Sequence, residues 1–481
     1  MVLFLLGQSL KVEAALMLLP LIVAGLCAEP LRPFIAGIAI TLAAGIAFSV
    51  RKPENSTIYA KDGFVAVSLV WIAMSLFGAL PFVISGDIPK YIDALFETVS
   101  GFTTTGATVI SDVESCYRSC LFWRSFTHWI GGLGVLVFMM AILPMSGEHS
   151  MHIMRAEVPG PVVGKLVPKA SDTAKILYII YASLTLAETA ILCMEGLSFF
   201  DALMHAFGTA GTGGFSTKNA SLAAFNSAGV EMTVAVFLVI FGINFNLYYF
   251  LSVGKIKNAV KSEELYVYLA VIIVSTLAIA AGIHGKYGDI PTSLRHAFFN
   301  VSSIISTAGF GTEDYTMWPQ YTQIILVLLM FCGACAGSTG GGVKISRIII
   351  LFKNTVVEVA GMISPRRVRH VRVDGRTVPE KVVGTVCAFF FVYIFALLIC
   401  TLVVSLDGYD FATSFTASLS CISNVGPGLS MVGPKGNYAI FSDLSKLTMI
   451  ITMLLGRLEI YPIIILFVSA LKVKTRPGKA K

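Results

Sequence analysis

Long apolar runs alternate with short ones along this chain, and each short run ends in a patch rich in glycine and small polar residues. Residues 2–27 and 33–50 are apolar and are joined by Glu29-Pro-Leu-Arg-Pro33, whose two prolines suit a sharp reversal and predict a helical hairpin. After a charged link (Arg51, Lys52, Glu54, Lys61, Asp62) the pattern becomes triplets. A long helix is expected over 63–85, a segment too short to span at Asp93–Ser100, and a second long helix over Phe122–Met145. The same order returns as 174–196, 201–207 and 229–253, then as 265–283, 293–305 and a run from Gln320 to Phe352. It returns once more as 382–405, 411–422 and 444–471. Runs of ~20 apolar residues cross a bilayer as helix, and a helix satisfies its own backbone groups where an open sheet edge cannot. The expected fold is an all-α polytopic membrane protein. Four pseudo-symmetric helix–pore loop–helix repeats surround one pore, preceded by an extra two-helix hairpin. That makes ten spans, two for the hairpin and two per repeat, plus four half-helices. The expected divisions are the hairpin at 1–60 and repeats at 61–172, 173–263, 264–380 and 381–481, the last carrying a basic cytoplasmic tail.

The patches are alike. Ser100-Gly-Phe-Thr-Thr-Thr-Gly-Ala-Thr108 is followed by Gly208-Thr-Ala-Gly-Thr-Gly-Gly-Phe-Ser216, Ser306-Thr-Ala-Gly-Phe-Gly-Thr312 and Ser423-Asn-Val-Gly-Pro-Gly428. Aligning Gly106, Gly214, Gly309 and Gly426 gives spacings of 108, 95 and 117 residues. Near-regular recurrence of one motif signals internal repeats, and Asp93-Ala-Leu and Asp201-Ala-Leu lie 108 residues apart, in phase with the first spacing. One further patch, Gly333-Ala-Cys-Ala-Gly-Ser-Thr-Gly-Gly-Gly342, interrupts an apolar stretch. Each glycine costs a helix interior about 1 kcal/mol against alanine, so three in a row should break it. Broken backbone at membrane depth is tolerated only where it is buried in protein or lines a cavity, which predicts a loop inside the pore.

Composition sharpens this picture. The 481 residues are 56% hydrophobic and 13% charged, with a mean hydropathy of +0.81, far from the roughly 25% charge of soluble domains. The net charge of +7 does not point to nucleic acid. Basic residues gather at 51–61, 147–175 (Arg155, Lys165, Lys169), 254–263 (Lys255, Lys257, Lys261), 353–381 and the tail. With the spans above, all these loops fall on one side. By the positive-inside rule that side is cytoplasmic and holds both termini, so the four patches approach from outside. No Lys or Arg precedes Lys11, so Met1–Ala28 reads as a retained first helix rather than a signal peptide. Cysteines are mostly scattered through apolar segments as small core residues. Cys116 and Cys120 share a polar outer loop, where a structural role, a disulfide included, is favoured over chemistry; Cys332 and Cys335 read as small-residue packing.

Chemistry follows from the patches. Backbone carbonyl rings can replace the water around a cation, glycine allows the φ values that turn successive carbonyls inward, and threonine hydroxyls can add a lower ring of oxygens. Half-helices ending at the loops would aim their negative dipole ends at a cation. No carboxylate sits within the four loops, which suits K⁺ better than Mg²⁺ or Ca²⁺. Arg457, deep in the last helix, is placed for function; Glu459 is two residues away and does not share its helix face. His128, His205 and His296 read as packing residues rather than proton carriers. Neither a His-Glu-x-x-His nor a complete Gly-x-Ser-x-Gly around Ser338 is present, so an intramembrane enzyme is not expected.

These residues resemble the Trk/Ktr/HKT superfamily of potassium transporters, specifically its TrkH-type membrane subunits. The resemblance spans essentially the whole chain. It rests on Thr103-Thr-Thr-Gly-Ala-Thr108, Thr212-Gly-Gly-Phe-Ser216, Thr307-Ala-Gly-Phe310 and Asn424-Val-Gly-Pro-Gly428, with Trp123-Arg124, Trp129-Ile-Gly-Gly-Leu-Gly134, Ala336-Gly-Ser-Thr-Gly-Gly-Gly342 and Gly456-Arg457. The resemblance implies filter glycines at Gly106, Gly214, Gly309 and Gly426. It implies K⁺-coordinating positions at Thr104, Thr105, Thr212, Gly213, Thr307, Ala308, Asn424 and Val425. It further implies an intramembrane gate over 333–342 (Gly340, Gly341, Gly342) and a pore-occluding Arg457. The implied setting is the bacterial inner membrane, as a homodimer whose protomers each carry a pore, without organic cofactor. The implied partner is a cytosolic TrkA-like ring of nucleotide-binding subunits, for which the basic stretch Arg366–Arg376 offers docking charge. Channel-like K⁺ uptake is the leading expectation, and K⁺ symport with H⁺ or Na⁺ the alternative.

Overall fold

The computed structural model describes residues 1–51, 60–134, 170–254, 260–364 and 370–474. Several sequence expectations fall outside these residues: Lys52 and Glu54, the helix beyond residue 134, Arg155, Lys165, Lys169, Lys255, Lys257, Arg366, Arg367, Arg369 and the end of the tail. Apart from turns and loops, the described residues are helical with one short antiparallel hairpin, Arg372–Val373 with Arg376–Thr377. Among the described residues, six helices are long and apolar enough to cross a membrane, or eight if each bent pair is one span. The chain is a multi-pass membrane protein.

The N-terminal hairpin runs as Val2–Leu16, Leu18–Leu26 and Arg32–Ser49. Its first helix packs on both Arg32–Ser49 and Ala60–Gly78. Gly7 and Gly45 face each other there: a methyl carbon added at either would meet the other's carbonyl oxygen, at 2.7 and 3.0 Å. Small residues let membrane helices approach this closely.

The short segments are half-helices, Tyr91–Phe102, Phe199–Gly211, Ile290–Ile305 and Phe411–Ser423; the first three are a few residues longer than their sequence patterns and the fourth matches its pattern to within one residue. Three begin at a side-chain cap: Ser198, Asp289 and Asp410 accept from the backbone N–H of Asp201, Thr292 and Thr413. Such caps occupy backbone donors that have no partner within the helix.

Packing among these helices closes a circle. Each half-helix lies against the helix that follows it, Arg118–Gly132, Ala228–Phe241, Gln320–Cys332 and Asp443–Arg457 in turn. Each following helix also packs on the half-helix of the next triplet, and Asp443–Arg457 returns to Tyr91–Phe102. A buried-side ion pair, Lys446 Nζ to Asp93 Oδ1 at 2.7 Å, ties that last contact.

The expected long closing helices are corrected here. The span read over 229–253 is two helices, Ala228–Phe241 and Phe245–Ser252, bent by 87°. The span read over 444–471 breaks after Arg457 and resumes at Tyr461 with a 115° bend, and Glu459 and Ile460 at the break hold φ of 54° and 69°. The helix from Gln320 stops at Cys332 and resumes only at Ile345, so the interruption is slightly longer than the glycine patch. Arg118–Gly132 stops at the same stage. All four helices therefore end after 13 to 15 residues, and each break lies beside a glycine: Gly132, Gly242, Gly333 and Gly456.

Candidate functional site

The four loops share one local conformation. Thr104, Thr212, Thr307 and Asn424 hold left-handed φ values of 54°, 53°, 64° and 56°. Two residues on, Gly106, Gly214, Gly309 and Gly426 do the same at 76°, 77°, 77° and 99°. Between them, the N–H of Thr105, Gly213, Ala308 and Val425 donates five residues back, to the carbonyls of Ser100, Gly208, Ser303 and Ser420, at 2.8–2.9 Å in every loop. The four loops thus share the same pair of left-handed positions and the same hydrogen bond.

The loops also meet one another. A methyl carbon on Gly106 would lie 1.9 Å from the Gly213 carbonyl oxygen; one on Gly214 would lie 1.9 Å from that of Ala308, and one on Gly309 2.0 Å from that of Val425. One on Gly426 would lie 2.7 Å from the carbonyl oxygen of Thr105, which closes the circle. Thr104, Thr105, Thr212, Thr307, Ala308, Asn424 and Val425 are all fully buried. The contact of Gly426 with Thr105 is the loosest of the four, and Pro427 Cδ adds to the crowding at Gly309, where it would lie 2.4 Å from a methyl carbon. On one side of the glycines lies a cavity of about 170 Å³ whose lining includes all four, together with Ser216, Asn219 and Tyr438. Tyr438 also donates to the Gly426 carbonyl at 2.7 Å.

The threonine hydroxyls are largely engaged within the protein. Thr103 and Thr105 share a hydrogen bond of 2.7 Å, Thr212 donates to the Gly211 carbonyl at 2.7 Å, and Thr105 Oγ1 accepts from the Asn424 amide at 2.9 Å.

The other expected residues gather at the loops' opposite side. The Gly341 N–H donates to Thr307 Oγ1 at 2.6 Å, and a methyl carbon on Gly341 would lie 2.3 Å from the Ser423 carbonyl oxygen. Arg457 donates to the Thr339 carbonyl at 2.7 Å and to the Gly131 carbonyl at 2.6 Å, and it reaches the Gly132 carbonyl too. One guanidinium thus joins the glycine patch to the end of Arg118–Gly132. Glu459 turns elsewhere, to Arg347. Lys344, at a φ of 78° and buried, donates to the Gly340 carbonyl.

Sequence reasoning assigned no role to the brace behind the first loop. Glu97 accepts from Arg124 Nε at 2.6 Å, from the Val109 N–H at 2.9 Å and from the Thr108 hydroxyl. Arg124 in turn donates to the Ser216 carbonyl at 3.1 Å and lies 3.4 Å over the Phe215 ring, so it ties the first loop to the second. The signal was a carboxylate and a guanidinium, each within an apolar segment. Because a buried charge left alone costs about 3–5 kcal/mol, Arg124→Ala is expected to lower thermal stability sharply, while Arg124→Lys restores part of it. A melting temperature of Arg124→Ala in detergent equal to wild type would contradict this brace.

The remaining residues behave as packing groups. His205 bonds to the Asp201 carbonyl at 2.7 Å and Ser216 Oγ at 2.9 Å, and His128 stacks on Phe215 at 4.1 Å. Cys116 and Cys120 are free thiols here, as are Cys332 and Cys335. Burial, with Asp87 nearby, pushes the Cys116 thiol up to about 12, which removes the reactive thiolate.

The family profile named TrkH, described as a cation transport protein, matches residues 31–270 and 265–474. The chain belongs to the TrkH family. Among its relatives is the Trk system potassium uptake protein TrkG of Escherichia coli (strain K12), 38% identical over 90% of each chain. The TrkH proteins of Vibrio parahaemolyticus and Halomonas elongata are 36% and 34% identical over 96% and 98% of each chain. The crystal structure of the potassium transporter TrkH from Vibrio parahaemolyticus superposes with a TM-score of 0.87 at 33% identity, covering 97% of both chains. TrkH-family membership thus rests on sequence and fold over nearly the whole length, and its relatives are named as transporters.

Proposed function

We propose that this chain carries K⁺ into the cell across the bacterial cytoplasmic membrane, through a channel-like pore. The observation that carries the reading is the closed circle of four loops, in which each glycine abuts a carbonyl of the next. Carbonyl oxygens are neutral ligands that suit a weakly hydrated monovalent ion, and the four half-helices end at them with the negative ends of their dipoles. Thr104, Thr105, Thr212, Gly213, Thr307, Ala308, Asn424 and Val425 supply the coordinating carbonyls in this reading. The relatives' names, Trk system potassium uptake proteins, support the choice of ion.

The gate is the segment 333–342 with Arg457. Its place directly beneath the loops and its tie to Gly131 and Gly132 support that role. Both termini are cytoplasmic, and the basic side carries Lys353, Arg372, Arg376 and Lys381. A cytosolic TrkA-like nucleotide-binding ring docks there and drives the gate, and the chain works as a homodimer.

Reversal potentials of purified protein in planar bilayers test the reading. The expected potential follows the K⁺ gradient alone. A potential that shifts with an imposed H⁺ or Na⁺ gradient would replace the channel-like path with coupled symport.

A further inference from the structure

We propose that Glu264 is a positioning residue that clasps the glycine segment at 333–344 and links it to the cytoplasmic hairpin at 372–377. The inference rests on reading that segment as the gate, and it names the device that would set the gate's position.

One oxygen of the buried Glu264 carboxylate accepts from two backbone N–H groups, Ala336 at 2.7 Å and Ser346 at 3.0 Å. Ala336 lies near the start of the segment and Ser346 just past its end, so a single oxygen ties its first limb to the helix that follows it. Two backbone bonds lie beside this clasp, Ile345 N–H to the Ala334 carbonyl at 3.1 Å and Val343 N–H to the Phe331 carbonyl at 3.2 Å. The far side of the segment presses on the loops through Gly340 and Gly341, so it is held between Glu264 and the proposed filter.

Glu264 is also next to the hairpin's anchor. The N–H of Glu263 donates to Asp374 Oδ1 at 2.7 Å. The Glu263 carboxylate pairs with Lys353 at 2.5 Å, and Lys353 donates to the Arg372 carbonyl at 2.8 Å. Asp374 and Gly375 form the exposed hairpin turn, with φ of 51° and 74°, as Asp-Gly does in tight hairpins. The start of Glu263–Tyr287 therefore touches the hairpin with one residue and the segment with the next. A ligand or subunit that moves the hairpin would pull on Glu264.

The test uses the full chain in proteoliposomes, in a background where Cys335 is the sole cysteine. Two quantities are read: alkylation of the buried Cys335 by N-ethylmaleimide, and K⁺ flux without any partner subunit. Glu264→Ala is expected to raise both about tenfold. Glu264→Gln should stay near wild type, because its amide oxygen can accept the same two N–H groups. Asp374→Ala should raise both by less. The double variant Glu264→Ala/Asp374→Ala should not exceed Glu264→Ala, as for residues acting through one path. Unchanged alkylation in Glu264→Ala, a Glu264→Gln that behaves like Glu264→Ala, or multiplicative effects in the double variant would overturn the proposal. Alkylation that rises while flux stays constant keeps the clasp and removes the gate reading beneath it. Should Glu264→Ala fail to fold, Glu264→Gln and Asp374→Ala still decide the question.

Discussion

Gly106→Ser is expected to lower K⁺ over Na⁺ discrimination at least about tenfold while the protein still inserts and assembles. Gly106 holds a φ of 76°, and a methyl carbon there would lie 1.9 Å from the Gly213 carbonyl oxygen. No side-chain rotation relieves that clash, because it involves Cβ itself. The Gly213 carbonyl must move, and with it the next contact in the circle, from Gly214 to Ala308. A tenfold change in discrimination corresponds to only about 1.4 kcal/mol, within the roughly 1–3 kcal/mol that overpacking a packed interior costs. The helix packing around the loops does not depend on this one contact, which is why assembly should survive. Gly254→Ser is the matched control: its φ is 75°, yet among the described residues nothing lies within 4 Å of an added methyl carbon. It carries the same backbone strain without the clash and should leave selectivity unchanged. Relative K⁺ and Na⁺ permeability from bi-ionic potentials measures both variants. Wild-type selectivity in Gly106→Ser would refute the four-loop filter.

Arg457→Ala is expected to raise K⁺ flux about tenfold in the absence of any partner subunit. The guanidinium is buried and donates to three carbonyls on two different segments, Thr339 on one side and Gly131 with Gly132 on the other. Hydrogen bonds to a charged group contribute about 1.5–3 kcal/mol each, so losing them frees Thr339 and the segment around it. It also removes a positive charge from beneath the loops, where that charge repels an approaching cation. Arg457→Lys should fall between, since an ammonium keeps the charge but lacks the planar fork that spans three acceptors. Flux at or below wild type in Arg457→Ala would remove the arginine from the gate.

Much of this architecture was legible in the chain. The four half-helices, the hairpin ahead of them and the phase of the glycine patches all follow from local signals. Apolar run length distinguishes a span from a half-helix, and glycine marks where backbone leaves the helical region. Two half-helices start ahead of their apolar patterns because Ser198 and Asp289 cap them two and three residues further out. The bends at 242–244 and 458–460 were not legible. Gly242 and Gly456 stand beside them, but a single glycine is tolerated inside an apolar helix, and Glu459 and Ile460 adopt left-handed φ without being glycine. The Arg124–Glu97 brace escaped notice for a related reason. Either residue alone looks like an expensive charge in an apolar segment, and only its partner, 27 residues away, makes burial tolerable.

The sequence by itself determined that this is a polytopic helical membrane protein with four like loops, and it named the glycines on which they turn. Those features are local, encoded in run length, spacing and residue size. Only the tertiary structure decided that the loops close in a circle with Gly426 against Thr105, that Arg457 bonds to carbonyls rather than to Glu459, and that Glu264 ties Ala336 within the glycine segment to Ser346 just past it. Each of these joins residues far apart in the chain, and a buried polar group takes whichever partner the packed fold brings within reach.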